Sequence, residues 1–395
     1  MSRYSLRIDD SILAIIIKIF IVVNLFFPYV TKISYRNCIF ILSNFIASII
    51  IVFLLVKNKK SKSIFSTILF IILVLYNILA FINNVMYNNY FIEQVNKSIS
   101  FIFFILMVEK IDNNFLERHN IISFLIKCIG MTLILSVIYY FFGGDAVIIE
   151  NSSISFSKQG TFSDSRLTWI YGHKSTYALM MLLFLSISLK YKSKFKKKKY
   201  FVLFIITSLF VSILIGSATL LVLLFAIFLA YYFKNYNYKK YRIVSILTIP
   251  IVLIISAILF NSTIEMISKD RDINSMGSRT YIYQAAKDNI GFYPHGVGKE
   301  FGNIYIDAKV VQIENFHNVF INEAFRFSII VGGAYFFLHL IIAIFGSKKD
   351  IFSLAIFVSC YVLFFMDYSL RTEQISIYLF LIYIAIFNDS KSLIK

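Results

Sequence analysis

The sequence predicts an all-α integral membrane protein that crosses the bilayer about twelve times. Hydrophobic residues make up 59% of its 395 residues, and the mean hydropathy is +0.77. Soluble domains contain about 45–50% apolar residues, whereas a helix of about 20 apolar residues crosses a bilayer, and such runs recur along the chain. The runs lack the alternation of membrane β-strands, which excludes a β-barrel.

The apolar runs set the predicted domain organisation. The seventh and eighth runs are separated only by Gly216-Ser217 and are compatible with one kinked hairpin. We expect residues 1–395 to form a single polytopic membrane domain. The predicted spans are 11–30, 37–56, 64–83, 92–109, 121–142, 173–189, 200–215, 218–233, 243–261, 317–345, 351–367 and 373–388.

The charge distribution predicts the orientation. The formal net charge is +18. With the N-terminus inside, the lysine clusters Lys57–Lys62, Lys190–Lys199 and Lys234–Arg242 all fall on the cytoplasmic side, as the positive-inside rule requires. Both termini are then cytoplasmic. The basic excess is a topological signal, so the lipid bilayer is an expected partner and nucleic acid is not.

The same topology predicts two polar segments outside the membrane. The smaller is the loop 143–172, and the larger is the loop 262–316 between the ninth and tenth spans. Within the larger loop, Arg279–Asn289 is predicted to form a short helix that Gly291 ends. The glycine-rich run Pro294–Gly302 lacks the Rossmann spacing and the Walker lysine, so we reject nucleotide binding.

The tenth predicted span begins with polar residues. Asn318, Asn322 and Arg326 are spaced i, i+4, i+8 and share one helix face, and Glu323 lies beside them. Two interpretations stay open. Glu323 and Arg326 form a buried pair that stabilises the bundle, or the face lines a polar cleft in which Arg326 reaches a phosphate. Elsewhere the spans are expected to be nearly free of charge.

Further candidates flank this span. His317 has a side chain suited to deprotonating a sugar hydroxyl near pH 7; its structural alternative is a capping or interfacial histidine. Arg279 is placed to bind phosphate oxygens or to be solvated. Arg166 and His173 lie at the lip of the sixth span. The external segments contain neither metal-ligand spacing nor a glycosidase-type acidic pair, so we expect no metal and no cofactor.

A motif series connects several of these residues. Arg279 in a long external loop, then Pro294-x-Gly296-x-Gly298, then His317-Asn318 opening a helix that reaches Gly332-Gly333, resembles the O-antigen polymerase and ligase superfamily. The similarity is specific over Met276–Gly333.

Two further segments bear on this resemblance. The segment Tyr171–Ala178 is similar to a degraded form of the superfamily's Gly-x-x-Pro-Asn segment. One departure is Gly216-Ser217-Ala218-Thr219, where members often have a Ser-Arg pair. Arg166, Arg326 or Arg371 is then the candidate for the second phosphate-binding arginine.

The resemblance implies a function. It implies a GT-C-like enzyme of the bacterial cytoplasmic (inner) membrane that transfers glycans from undecaprenyl pyrophosphate without a metal. By resemblance, Arg279 holds the pyrophosphate and His317 activates the acceptor hydroxyl. A chain-length regulator and a flippase are the implied partner proteins. The remaining substrate-binding candidates are Arg166, Arg326, Asn318, Asn322, His173 and Arg371.

Three functions remain distinguishable. A polysaccharide (O-antigen or capsular) polymerase joins lipid-linked repeat units, whereas a ligase delivers the glycan to another acceptor with the same donor chemistry. A flippase or exporter of lipid-linked sugars would spread charges through the spans, and the predicted charge-free interior favours an enzyme. Neighbouring genes for glycosyltransferases and a flippase would indicate a polymerase, and those for core-lipid synthesis a ligase.

Overall fold

The computed structural model describes the greater part of the chain. Its described residues are 10–27, 32–35, 38–57, 63–87, 91–150, 153–158, 166–235, 279–292, 294–296, 304–306, 311–313, 316–367 and 369–388. They are mostly helical. The predicted ninth span, 243–261, and most of the predicted loop 262–316 lie outside the described residues.

The helices follow the predicted apolar runs closely, and most begin or end within a few residues of a predicted boundary. The first nine are α1 Asp10–Phe26, α2 Leu42–Val56, α3 Ile64–Tyr87, α4 Phe91–Lys110, α5 Asn113–Arg118, α6 Ile121–Phe141, α7 Lys174–Lys190, α8 Lys198–Ile215 and α9 Ala218–Asn235. The others are α10 Arg279–Asn289, α11 Val319–Arg326, α12 Ile329–Ser347, α13 Ile351–Met366 and α14 Ile375–Ile382, which continues as one π-helical turn, Tyr383–Phe387.

Length and composition identify the membrane-crossing helices. Among the described residues, α3, α6, α8 and α12 are long and apolar enough to cross a bilayer. Shorter apolar helices cover Leu42–Val56, Thr219–Asn235, Ile351–Met366 and Thr372–Phe387. The protein is therefore a polytopic helical membrane protein, and the number of twelve spans stays a prediction.

Two helices form the centre of the bundle. In α7 every residue from Ser175 to Leu189 is buried, and α14 with its π turn is buried from Ile375 to Phe387. Helices that are apolar on all faces are buried on all faces. By contrast, α3 exposes a stripe of large apolar side chains suited to lipid, among them Ile71, Leu75 and Ile82.

The loops contain strands, which the all-α prediction omitted. Three antiparallel hairpins pair β1 (Lys32–Tyr35) with β2 (Cys38–Ile41), β3 (Gly144–Glu150) with β4 (Ser153–Lys158), and β5 (Ile304–Ile306) with β6 (Val311–Ile313). In β4 serine alternates with isoleucine and phenylalanine, a period-two pattern that favours a strand. The first hairpin also removes residues 38–41 from the predicted second span.

The tenth predicted span is broken, contrary to the prediction of one continuous helix. α11 ends at Arg326, and Ser328 caps α12 by accepting a hydrogen bond from the Val331 amide at 3.1 Å. The two helices fold sharply against each other at Gly332, where a Cβ would stand 2.7 Å from the Cα of Ala324. Glycine is therefore required for this contact, and α11 is too short to span a membrane.

Residues 294–296, the described part of the glycine-rich run, pack on this break. A Cβ on Gly296 would stand 2.6 Å from the carbonyl carbon of Phe327, and the φ of Gly296 is +76°. The neighbouring His295 stacks on Tyr87 with ring centroids 3.7 Å apart. The Nδ2 of Asn83 donates to the Phe327 carbonyl. Non-helical backbone inside a bundle is stable when protein groups satisfy it, so Asn83 and Gly296 support the helix break.

Candidate functional site

The centre of the candidate site is a histidine–aspartate pair. The Nδ1 of His317 lies 3.1 Å from Oδ1 of Asp367, at the end of α13. The His317 side chain is 33% exposed, whereas that of Asp367 is 9% exposed. A carboxylate that accepts from Nδ1–H fixes the tautomer and leaves the Nε2 lone pair as the proton acceptor. This geometry suits a general base.

Two asparagines hold the histidine in place. Asn318 caps α11, accepting hydrogen bonds from the amides of Phe320 and Ile321 at 2.9 and 3.0 Å. Asn322 Oδ1 accepts from the Phe316 amide at 2.8 Å. His317 lies between these bonded residues and has a φ of 48°, a region in which histidine is enriched among non-glycine residues. Both predicted substrate-binding asparagines thus have side chains that serve the helix start.

The predicted loop helix packs against the same place. α10 has the predicted bounds, and Tyr283 lies within it. The Tyr283 hydroxyl lies 3.2 Å from the His317 carbonyl oxygen and also contacts the Phe365 carbonyl oxygen. Arg279 is the first residue of α10, one helical turn before Tyr283. The docking therefore brings the start of α10 close to the His317 loop.

Two further predicted residues meet at the pair. His173 precedes α7, and its Nδ1 lies 2.5 Å from the Ser175 hydroxyl oxygen. Burial lowers the pKa of His173; Asp367 opposes this change, and Arg371, Lys174 and His317 add to it. The neutral ring is thereby favoured at pH 7.

Arg371 is the arginine that lies near His173. Its Nε is buried without a hydrogen-bond partner, and no described carboxylate forms an ion pair with it. A guanidinium in this condition is a strong candidate to bind an anion. His317, Asp367, His173 and Arg371 therefore form one cluster, which we call the His317 cluster.

Arg326 is engaged elsewhere. Its Nη1 donates to Oε2 of Glu93 on α4 at 2.9 Å. The Oε2 of Glu323 lies 2.5 Å from Nζ of Lys97, which is also on α4. The interpretation of a Glu323–Arg326 pair is therefore wrong, and both residues bind α4. The expectation of a nearly charge-free interior is also wrong, because the Lys97 and Glu323 side chains are 3% and 6% exposed. These two ion pairs, which we call the clamp, hold α11 against α4.

Arg166 lies at the turn between α8 and α9. Its side chain runs along Gly216, with Cγ 3.4 Å from where a Cβ of that glycine would stand. The Leu167 amide donates to the Leu214 carbonyl at 3.0 Å. Arg166 therefore packs on the turn at Gly216, next to the position where members of the superfamily often have the arginine of a Ser-Arg pair. No hydrogen bond or ion pair between described residues joins it to the His317 cluster.

The comparison with protein families bears on the second half of the chain. The family described as O-antigen ligase matches residues 200–332. Residues 200–332 are therefore similar to that family. The resemblance to the O-antigen polymerase and ligase superfamily is thereby confirmed. The matched region includes Arg279, Gly296 and His317. The search of curated proteins gives no match.

Sequence reasoning missed three charged residues of the candidate site and of its support. Asp367 lies 50 residues after His317, and Glu93 and Lys97 lie in the fourth predicted span. An available signal was the i, i+4 spacing of Glu93 and Lys97 inside an apolar run, because ionisable residues there require partners. For Asp367 the signal was a carboxylate at the predicted external end of a span.

Proposed function

We propose that the protein is a polysaccharide polymerase that joins lipid-pyrophosphate-linked oligosaccharide repeat units on the external face of the cytoplasmic membrane. The observation that carries the proposal is the His317–Asp367 pair beside Arg371, with His317 inside the stretch that matches the O-antigen ligase family. A base next to unpaired positive charge is what glycosyl transfer from a pyrophosphate requires.

The proposed reaction is a displacement at the anomeric carbon of the donor. His317 Nε2 takes the proton of the acceptor sugar hydroxyl, and the hydroxyl oxygen forms the new bond to the anomeric carbon. The bond between that carbon and the pyrophosphate oxygen breaks, and the lipid pyrophosphate leaves with the electron pair. Asp367 stabilises the imidazolium that forms, in the way a carboxylate supports a base histidine.

The positive charges bind the leaving group. Arg371 and, by resemblance, Arg279 are the proposed pyrophosphate ligands, because guanidinium groups bind phosphate oxygens in a bidentate manner. The neutral His173 has Nδ1 occupied by Ser175, which leaves its Nε2–H as a hydrogen-bond donor. We assign to it a donor role toward the glycan or the phosphate.

An assay with lipid-linked repeat units tests the proposal. Native protein in vesicles should convert single repeat units into longer chains. His317→Ala and Arg279→Ala variants of normal abundance should lose elongation by about 10²-fold or more. His119→Ala, at the turn between α5 and α6, is the matched histidine control and should retain activity. Full elongation by the His317→Ala variant would refute the assignment.

A ligase is the second candidate, and the similarity of residues 200–332 to the O-antigen ligase family favours it. The two functions share a donor and differ in the acceptor. Adding a lipid A core acceptor to the same assay separates them. A polymerase elongates repeat units without that acceptor, whereas a ligase forms product only when it is present.

A further inference from the structure

A second charged feature lies at the other end of α7. His173 precedes α7, and Lys190 is its last residue. Seventeen residues at 1.5 Å each separate the two ends by about 25 Å. Beyond Lys190, the chain enters a lysine-rich segment that leads into α8. This end of the bundle is therefore far from the His317 cluster and can hold a different ligand.

A cleft opens between α6 and α8 at this end. Its volume is about 280 Å³, and its walls are mostly apolar, with Leu133, Ile134 and Leu203 among them. Gly130 lines the cleft beside free space: among the described residues, a Cβ there would meet the Phe204 ring at an ordinary contact distance of 3.8 Å. Ile134 and Leu203 are 50% and 57% exposed, so the cleft faces the surface that lipid covers.

Three lysines line the same cleft. Lys127 is exposed on α6, six residues from its start and hence about 9 Å along the helix. Lys194 and Lys196 come from the segment before α8, and Lys194 forms an exposed pair with Glu117 at 3.1 Å. Within the described chain neither Lys127 nor Lys196 has an ion-pair partner. A lysine on a lipid-facing helix is costly unless its ammonium reaches an anion or the interface.

We propose that this cleft binds an anionic phospholipid, with an acyl chain between α6 and α8 and the phosphate at Lys127 and Lys196. The apolar walls match the chain, and the lysines match the negative headgroup. Basic pockets between helices on the predicted cytoplasmic side are suited to such headgroups. Lys190, which precedes the lysine-rich segment of the cleft, lies about 25 Å along α7 from His173. The proposed phosphate site is thereby distinguished from that of the glycan donor, whose pyrophosphate belongs to the opposite end.

Lipid titration of the full-length protein in detergent tests this site. The probes are fluorescently labelled phosphatidylglycerol and phosphatidylcholine with the same acyl chains. The native protein should bind phosphatidylglycerol about ten-fold more tightly. The variant K127Q/K196Q should lose this preference and bind phosphatidylcholine as before. Because the readout is lipid binding, failure of the elongation assay leaves it unaffected.

Matched variants separate a site from general attraction. K197Q/K198Q removes the same number of charges from neighbours of Lys196 that lie outside the cleft lining, and it should keep the preference. Gly130→Leu fills the cleft and should weaken the binding of both lipids by about ten-fold, because the acyl chain loses its contacts. Equal losses in the two lysine variants, no preference in the native protein, or unchanged binding by Gly130→Leu would each overturn the proposal.

Discussion

At the scale of single residues, one carboxylate determines how His317 can act. Asp367 is almost buried and is 3.1 Å from the His317 ring, whereas the ring itself is one-third exposed. This arrangement orients the imidazole and leaves one nitrogen accessible. The pair is therefore more than a helix cap, which is the role that Asn318 already fulfils.

The Asp367→Asn variant tests this role. It retains the shape of the side chain but removes the charge, so it should reduce kcat for elongation by about 10²-fold with little change in KM. Asp350→Asn is the control, because Asp350 caps α13 at its opposite end. That variant should keep its kcat. An unchanged kcat in Asp367→Asn would remove Asp367 from the mechanism.

At the scale of elements, the clamp between α4 and α11 holds the site. Glu93 and Lys97 lie one turn apart on α4, and they bind Arg326 and Glu323 on α11. The Oε2 of Glu93 also accepts from Thr372, next to Arg371, at 3.3 Å. The clamp therefore connects the helix that follows His317 to the segment that carries Arg371.

Removing one partner of the Lys97–Glu323 pair should destabilise the protein more than removing both charges. Lys97→Met leaves Glu323 buried and unpaired, which typically costs about 3–5 kcal/mol. The double variant Lys97→Met/Glu323→Gln should recover most of this loss, since no charge is then left uncompensated. Thermal unfolding in detergent measures both. Lys194→Met, which breaks an exposed pair, is the control and should cost under about 1 kcal/mol. Equal losses in the single and double variants would contradict the prediction.

The contact between α11 and α12 offers a comparison of two adjacent glycines. A Cβ on Gly332 would overlap the backbone of Ala324, whereas a Cβ on Gly333 would meet nothing within 4 Å. Gly332→Ala must push α11 away from α12, and an overpacked contact costs about 1–3 kcal/mol. Because His317 precedes α11, elongation should fall with stability.

Gly333→Ala should be neutral or slightly stabilising, because alanine is the better helix former. Unfolding temperature and elongation rate of the two variants are the measurements. Equal effects of Gly332→Ala and Gly333→Ala would contradict the close contact between α11 and α12.

At the scale of the whole molecule, the sequence predicts the helices far better than the contacts between them. The bounds of α10 follow from Gly291 and those of α6 from its apolar run. The break at Phe327 and Ser328 could not be predicted, because the apolar pattern continues across it. Its cause is tertiary: Gly296 and Asn83 reach the freed backbone from distant parts of the chain.

The candidate site shows the same division. His317, His173 and Arg371 were predictable as polar residues at span ends. The pairing of each residue with its carboxylate was not predictable. Asp367 lies 50 residues from His317, and Glu93 lies 233 residues from Arg326. Sequence spacing gives neighbours on one helix, as in the expected Glu323–Arg326 pair. The ion pairs between helices depend on how the bundle packs, which no local pattern encodes.

The contact that joins α10 to the rest of the bundle can be tested through one hydroxyl. Tyr283 connects α10 to the His317 carbonyl and to the end of α13. Tyr283→Phe loses about 1 kcal/mol of hydrogen bonding, so amide exchange in α10 should accelerate about five-fold. The KM for the donor should rise with kcat nearly unchanged, because Arg279 begins the same helix.

Tyr361→Phe is the matched control, since the buried Tyr361 hydroxyl has no hydrogen-bond partner among the described residues. Its amide exchange in α10 and its KM should equal those of the native protein. Unaltered exchange in Tyr283→Phe would mean that α10 is held by other contacts. A raised KM without faster exchange would mean that Tyr283 itself contacts the donor. Only faster exchange together with a raised KM supports the proposal that α10 holds Arg279 near the His317 cluster.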